Sequence, residues 1–596
     1  MTTETYTSPR GLNIEIDRSR DALLTEFGKE TLTDRYLYKG ESYQDLFARV
    51  ACHVADEADH AQRLYDYISK LWFMPATPIL SNLGTDRGLP ISCFLNEVGD
   101  SMKEIINKWE ENSWLSCRGG GIGTYYGNIR SIGEGVGAVG KTSGIIPFLK
   151  VQDSLTLAIS QGSLRRGSAA TYLQMDHPEI EEFIDLRRPT GGDPNRRSLN
   201  LHHGVLVPDA FMKCVENDWK WQLRSPRDGK VVKKVSARSL WIKLLTTRLE
   251  TGEPYIIYID TVNKKTPEWH KLAGLTVKTS NLCSEITLPT GLDKYGKDRT
   301  AVCCLSSLNL ETYDQWKSNK DFVSDVMRFL DNVLTDFIRK APEEFKNAAY
   351  SAMQERSVGL GVMGFHSFLQ KNNIPFESVM AKSWNKKIFK SIENKCNMAS
   401  EELADEKGAC ADAENFAYNE RFSNKTAIAP TASISIICGG ASPGIEPNSA
   451  NSFLHKTLSG SYNVKNKYLV DLLEHKKKNT PEVWSDITIH GGSVQHLDFL
   501  SKLEKDVFKT AFELDQKWII EHAADRTPFI DQAQSLNVFI PADISKKDLH
   551  KIHFMAWEKG VKSLYYCRSK SIQRAQTVST NVTTNENDGE ECLSCQ

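Results

Sequence analysis

The stretch Ser280-Asn281-Leu282-Cys283-Ser284-Glu285-Ile286 sets an amide, a thiol and a carboxylate at alternate positions. In an extended or loop conformation residues i, i+2 and i+4 point the same way, so Asn281, Cys283 and Glu285 are expected to converge on one ligand. Such a trio supplies a reactive sulfur flanked by a hydrogen-bonding amide and an acid/base group. The same spacing also fits an alternating polar strand face with no chemistry. Further along, Cys303-Cys304 opens a second thiol cluster, and Cys592-Leu-Ser-Cys595 stands at the C-terminus.

The C-terminal thiols lie in a distinctive setting. From Ser571 to Gln596 only Ile572, Val578, Val582 and Leu593 are large aliphatic residues, too few to offset the entropy of ordering, so 571–596 is expected to be a flexible arm. Two cysteines two residues apart on such an arm suit reversible disulfide exchange. Zinc is the rival reading, but it wants four ligands and no second CxxC or paired histidine lies nearby. A relay on a tether implies a disulfide elsewhere for it to reduce.

Around these motifs the chain reads as a large folded body. Apolar residues recur at helical spacing from Tyr43 to Val54 behind the capping candidate Ser42, again at Leu64, Tyr67, Ile68 and Leu71, and from Phe322 to Ile338. Short strand-like runs, Gly204–Val207 and Tyr255–Ile259, alternate with them, which suggests an α/β architecture. Glycine fills nine of the 22 positions from Gly119 to Gly140, as a ligand cradle or mobile loop requires.

Composition narrows the function. With 74 basic and 76 acidic residues among 596, the net charge is −2, without the basic footprint of a protein that grips nucleic acid. No N-terminal h-region and no run of about 18 apolar residues occurs, so neither secretion nor a membrane span is expected. Thirteen cysteines are too few for a secreted disulfide framework and fit a reducing, cytoplasmic setting.

Taken together, Asn281-Leu-Cys283-Ser-Glu285, Cys303-Cys-Leu-Ser-Ser-Leu-Asn309-Leu, Ser92-Cys93 upstream and Tyr565-Tyr566 near the end resemble the large catalytic subunit of class I ribonucleotide reductase, from about Pro75 through Gln596. The resemblance implies a mainly helical region over 1–74, a ten-stranded α/β barrel with a central finger loop over 75–570, and a redox tail over 571–596. Cys283 would become a thiyl radical, Glu285 would take the 3′-hydroxyl proton, and Asn281 would hold the sugar. Cys93 and Cys303 would supply two reducing equivalents, with Cys304 as a competing partner for Cys93. Cys592 and Cys595 would then reduce their disulfide, themselves recharged by thioredoxin or glutaredoxin.

By the same resemblance, Tyr565 and Tyr566 would relay a radical from a separate metal-containing small subunit, and no cofactor would reside in this chain. Cys567 matches no role. Substrate, a ribonucleoside diphosphate, would meet Thr77, Ser92, Gly121 and the turn Pro430-Thr431-Ala432-Ser433. ATP or a deoxynucleotide effector would meet Asp100, Ser101 and Arg130, and Arg165 or Arg166 would carry its signal to the base. A homodimer is implied, and the 92 residues before Cys93 leave no room for the family's ATP-cone. The alternative is an adenosylcobalamin-dependent reductase of the same barrel, which makes its radical internally.

Overall fold

The computed structural model describes residues 3–91, 93–138, 140–161, 165–166, 168–456 and 461–569. Ser92 and the tail cysteines Cys592 and Cys595 therefore lie outside the described residues.

The N-terminal region pairs a hairpin, Thr3–Thr7 with Asn13–Asp17, with helices α1 (Glu26–Arg35), α2 (Tyr43–Val54) and α3 (Ala58–Ser69). Ser42 caps α2 as the sequence suggests: its hydroxyl accepts from Asp45 N while the Asp45 carboxylate accepts from Ser42 N. Leu46, Phe47, Val50, Leu64 and Ile68 are fully buried between α2, α3 and the barrel. Leu71, expected to prolong the stripe, lies beyond α3 with φ +59 and turns the chain into the first strand.

Nine strands share one sheet. They are β1 (Phe73–Pro75), β2 (Cys93–Glu97), β3 (Gly121–Tyr125), β4 (Ser168–Gln174), β5 (His202–Val207), β6 (Tyr255–Tyr258), β7 (Ala301–Asn309), β8 (Val358–Met363) and β9 (Ser563–Leu564). Their order is β8-β7-β2-β3-β4-β5-β6-β9, with β1 also on β7. Strands β2 to β6 run parallel, β7 and β8 form a second parallel set, and the two sets meet antiparallel where β7 pairs β2.

Parallel bridges Leu360–Thr426 and Ile428–Gln534 carry the second set onward. Val538–Ile540 then pairs Cys567–Ser569, and β9 returns antiparallel onto β6. The circuit closes through ten positions, the expected barrel, with 426–428 and 534–540 completing the ring. Because helices cover the outside, strands such as β7 and β8 are buried at every residue. Among those helices are α4 (Met102–Cys117), α5 (Ile146–Ala158) and α6 (Phe322–Lys340).

Thr279 through Thr290 forms neither helix nor strand, yet is buried throughout. A buried loop must satisfy its backbone polar groups locally. Tyr172 Oη donates to Asn281 O (2.5 Å), Ser535 Oγ to Cys283 O (2.6 Å), Ala533 N to Glu285 O (2.9 Å) and Ser280 Oγ to Ile286 O (2.7 Å). Gly123 of β3 admits the loop, since a Cβ there would lie 1.7 Å from Ser280 O. This is the finger through the barrel.

Candidate active site

Of the two conformations the spacing allows, extended or loop, the tip of the finger takes the loop, as a turn. Asn281 Oδ1 accepts from both Glu285 N and Ile286 N at 3.1 Å, so the side chain organises its own loop as Asx residues do. Ser284 takes φ +68 to complete the reversal. Cys283 is thereby presented at the apex, with Asn281 and Glu285 on either side. Glu285 Oε2 accepts from Ser535 Oγ at 3.1 Å, which ties the carboxylate to the opposite wall.

Asn281 also reaches a second thiol: its Nδ2 lies 3.7 Å from Cys93 Sγ. Cys93 opens β2 and is register partner to Cys303 of β7. Directly opposed residues of an antiparallel pair place their Cα atoms about 4.5–5.5 Å apart, within disulfide reach. Gln532 Nε2 donates to Cys303 Sγ at 3.6 Å, and Gln532 Oε1 accepts from Thr287 N at 3.2 Å. One amide thus joins the finger to the cysteine pair. Burial pushes the Cys303 thiol well above its ordinary range, against the Gln532 hydrogen bond that lowers it. Successive side chains alternate across a strand, so Cys304 faces away from Cys303; burial raises its thiol well above the ordinary range, with Cys93 and then Asp331 of α6 adding to the rise. Geometry therefore favours Cys303 over Cys304 as the partner of Cys93.

A tyrosine stack leads away from the tip. Tyr565 Oη donates to Cys283 Sγ at 3.5 Å, and the Tyr565 and Tyr566 rings are centred 4.2 Å apart. Sequence reading missed a third ring: Tyr255 of β6 lies 4.8 Å from Tyr565 and 5.2 Å from Tyr566. Beyond it, Tyr566 Oη is 3.4 Å from His202 Nδ1, which lies 2.6 Å from Glu253 Oε1. Burial alone would raise Glu253, but Arg187 and His202 hold its carboxyl well below the usual range. Cys567, next to the pair, turns inward, where burial pushes its thiol up to about 11.

Gln532, Ser535, Tyr172, Tyr255, His202 and Glu253 were not legible beforehand. Each is a single residue without a motif, and strict alternation does not mark them either: Gln532 and Ser535 both meet the finger or the cysteine pair although they are three apart, while Gln534 between them turns to Ala523 O and Thr527 Oγ1.

The remaining expected positions fall around this centre. Gly121 pairs in register with Cys93 and leaves that side without a side chain. Thr77 begins a short helix after β1, its hydroxyl 2.8 Å from Tyr36 Oη. Pro430–Ser433 follows the 426–428 bridge. There Thr431 adopts φ +55 and its Oγ1 accepts from Gly444 N at 2.7 Å. Ser433 stands before the four-residue helix Ile434–Ile437.

Farther out, Asp100 and Arg130 form an ion pair at 2.7 Å, Arg130 N also donates to Asp100 Oδ1, and Ser101 caps α4. The backbone of Arg165–Arg166 pairs with Ser160–Gln161, while their side chains lie outside what is described. Among the described residues no helix is long and apolar enough to cross a membrane.

A sulfur carried on a finger through a closed α/β barrel, beside a facing cysteine pair, defines a thiol-centred barrel enzyme. Comparison with known proteins gives the family. The model "Ribonucleotide reductase, barrel domain" matches residues 91–423 and 417–567, and "Ribonucleotide reductase, all-alpha domain" matches 22–88. The ribonucleoside-diphosphate reductase large subunit of Invertebrate iridescent virus 3 is 41% identical over 98% of this chain and 100% of that protein. The Caenorhabditis elegans large subunit is 31% identical over 98% of this chain and 82% of its own length. The class Id ribonucleotide reductase alpha subunit of Actinobacillus ureae superposes with TM-score 0.81 at 34% identity, covering 93% of this chain and 98% of that one. The chain belongs to the ribonucleotide reductase large-subunit family.

Proposed function

We propose that this chain reduces ribonucleoside diphosphates to 2′-deoxyribonucleotides for DNA precursor synthesis, by a thiyl-radical mechanism fed from a separate small subunit. The carrying observation is the 3.5 Å contact of Tyr565 Oη with Cys283 Sγ at the buried tip of the finger. An oxidised Tyr566 takes a hydrogen atom from Tyr565, and Tyr565 takes one from Cys283. The resulting thiyl radical removes the ribose 3′ hydrogen, Glu285 accepts the 3′-hydroxyl proton, and the 2′-hydroxyl leaves as water. Cys93 and Cys303 supply the two electrons and close to a disulfide. The hydrogen atom then returns from Cys283 to C3′, and the relay runs backwards.

The diphosphate assignment rests on the names of the relatives. The substrate phosphates are assigned to Pro430–Ser433 with Thr77, Ser92 and Gly121 along the sugar. The tail thiols Cys592 and Cys595 restore the Cys93–Cys303 pair and are recharged by thioredoxin or glutaredoxin. Asp100, Ser101 and Arg130 are assigned to an ATP or deoxynucleotide effector. Met102, Ile106 and Trp114 on α4, with Val151 and Leu157 on α5, expose 40–58% of their surface, and this apolar face is assigned to a second copy of the chain.

The test is turnover of CDP by the purified chain with dithiothreitol and dTTP or ATP, with and without a cognate small subunit. Deoxycytidine diphosphate formed only with the small subunit is expected. Turnover by the chain with adenosylcobalamin alone overturns the class I reading.

A further inference from the structure

The glycine-rich stretch after β3 folds into a small ribbon, Gly135–Val136 antiparallel to Gly140–Lys141, and both of its stems meet one side chain. Glu179, buried in the turn after β4, accepts through Oε2 from Ile132 N and from Ile145 N, each at 3.1 Å. A single carboxylate oxygen thus bridges the two ends of the ribbon. Only glycine suits position 144: its φ is +82, and a Cβ there would lie 2.2 Å from Glu179 Oε1.

The same turn holds the preceding segment. Glu179 N donates to His177 Nδ1 at 3.1 Å, which makes Nε2 the donor to Ile129 O, also at 3.1 Å. Next in the chain, Arg130 pairs with Asp100 and extends NH1 to Gly135 O of the ribbon at 2.6 Å. Ser131 N donates to Glu134 Oε1 at 3.0 Å, and Glu134 Oε2 accepts from Ser225 Oγ at 2.8 Å. The charged groups that act on Glu179 are Glu182 and Arg196. Its hydrogen-bond donors are loop amides rather than a cation. An apolar residue would fill this space with less desolvation, so a carboxylate aimed at two amides indicates a loop that must be held in one place.

We propose that Glu179 is the positioning residue of the effector site, closing the base of the glycine-rich ribbon so that Asp100, Arg130 and the ribbon backbone meet a nucleoside triphosphate as a fixed set. The inference rests on the effector-site reading above and deepens it. It also ties that site to the reaction chamber, because β4, which ends at this turn, begins beside the Arg165–Arg166 ribbon and carries Tyr172, the residue bonded to the finger.

The test compares the full-length chain with E179Q, using dTTP as the probe. Equilibrium binding is expected to weaken about tenfold in E179Q, with faster hydrogen exchange over 131–145 and no fall in melting temperature. A merely structural role would instead lower the melting temperature together with affinity. Unchanged dTTP affinity and unchanged exchange in a folded E179Q overturn the proposal and leave the effector site standing. Failure of the unsubstituted chain to bind dTTP at all overturns the effector-site reading and the proposal with it. Should E179Q not fold, dTTP added to the unsubstituted chain is expected to protect 131–145 and 175–180 together; protection of the first segment alone overturns the proposal.

Discussion

At the residue scale, three of the buried cysteines of the barrel are distinguished by what faces them. Cys283 meets a tyrosine hydroxyl, Cys303 is the register partner of Cys93 and meets Gln532, and Cys304, one residue on, takes the opposite face of β7. Replacing Cys283 by Ser is expected to abolish deoxynucleotide formation while substrate still binds, as equilibrium binding and a turnover assay on one preparation will show. C303S is expected to lose multiple turnover, whereas C304S keeps turnover per folded molecule and gives up about 1–3 kcal/mol of stability to a poorly satisfied buried hydroxyl. Equal loss of turnover in C303S and C304S would contradict the register argument. Tyr565→Phe removes the hydroxyl that touches Cys283 but keeps the ring; turnover is expected to vanish with the melting temperature little altered. Retained activity in that variant would place the radical path elsewhere.

At the scale of elements, two glycine-dependent contacts control how the site is assembled. The finger passes Gly123 so closely that G123A sets a methyl group against Ser280 O. Overpacking of this kind costs about 1–3 kcal/mol, and because the obstructed segment carries Asn281 and Cys283, activity should fall further than stability does. Full activity with normal melting would show that the finger threads differently. The turn after β4 makes a pH-dependent prediction. Burial, opposed by the amides of Ile145 and Ile132, raises the Glu179 carboxyl from 4.5 to about 7. The unfolded chain releases this proton near 4.5 and the folded chain only near 7, so folding loses stability as pH rises between those values. The loss is complete above pH 7, at about 3 kcal/mol. E179Q removes the titration, so its melting temperature relative to the unsubstituted chain should climb from pH 5 to pH 8. A constant difference across that range would contradict the assignment.

At the scale of the whole molecule, α4 and α5 leave Met102, Ile106, Trp114, Val151 and Leu157 exposed on neighbouring helices. With this face assigned to a second copy and Asp100 and Arg130 to an effector, as proposed above, association and effector response would share one surface. Ile106→Lys with Leu157→Lys is expected to give a monomer by light scattering and to blunt the response to dTTP. A dimer of unchanged stability would assign association to another face.

What the sequence determined by itself was local or combinatorial. The Ser42 cap, the amphipathic α6 and the strand runs at 204–207 and 255–259, observed as 202–207 and 255–258, follow from hydrophobic period and capping chemistry. The order of Cys93, Asn281-Leu-Cys283-Ser-Glu285, Cys303 and Tyr565-Tyr566 was specific enough to indicate the reductase barrel. Tertiary structure decided what depends on contacts across the ring. It turned Asn281-Cys283-Glu285 into a tight reversal, because a buried loop needs the Asn281 carboxamide for its own amides. It set Cys303 rather than Cys304 opposite Cys93, because strand register assigns alternate side chains to opposite faces. It brought in Gln532, Ser535, Tyr172 and Tyr255, residues from three separated parts of the chain whose roles exist only where the closed barrel gathers them around the finger and its neighbours.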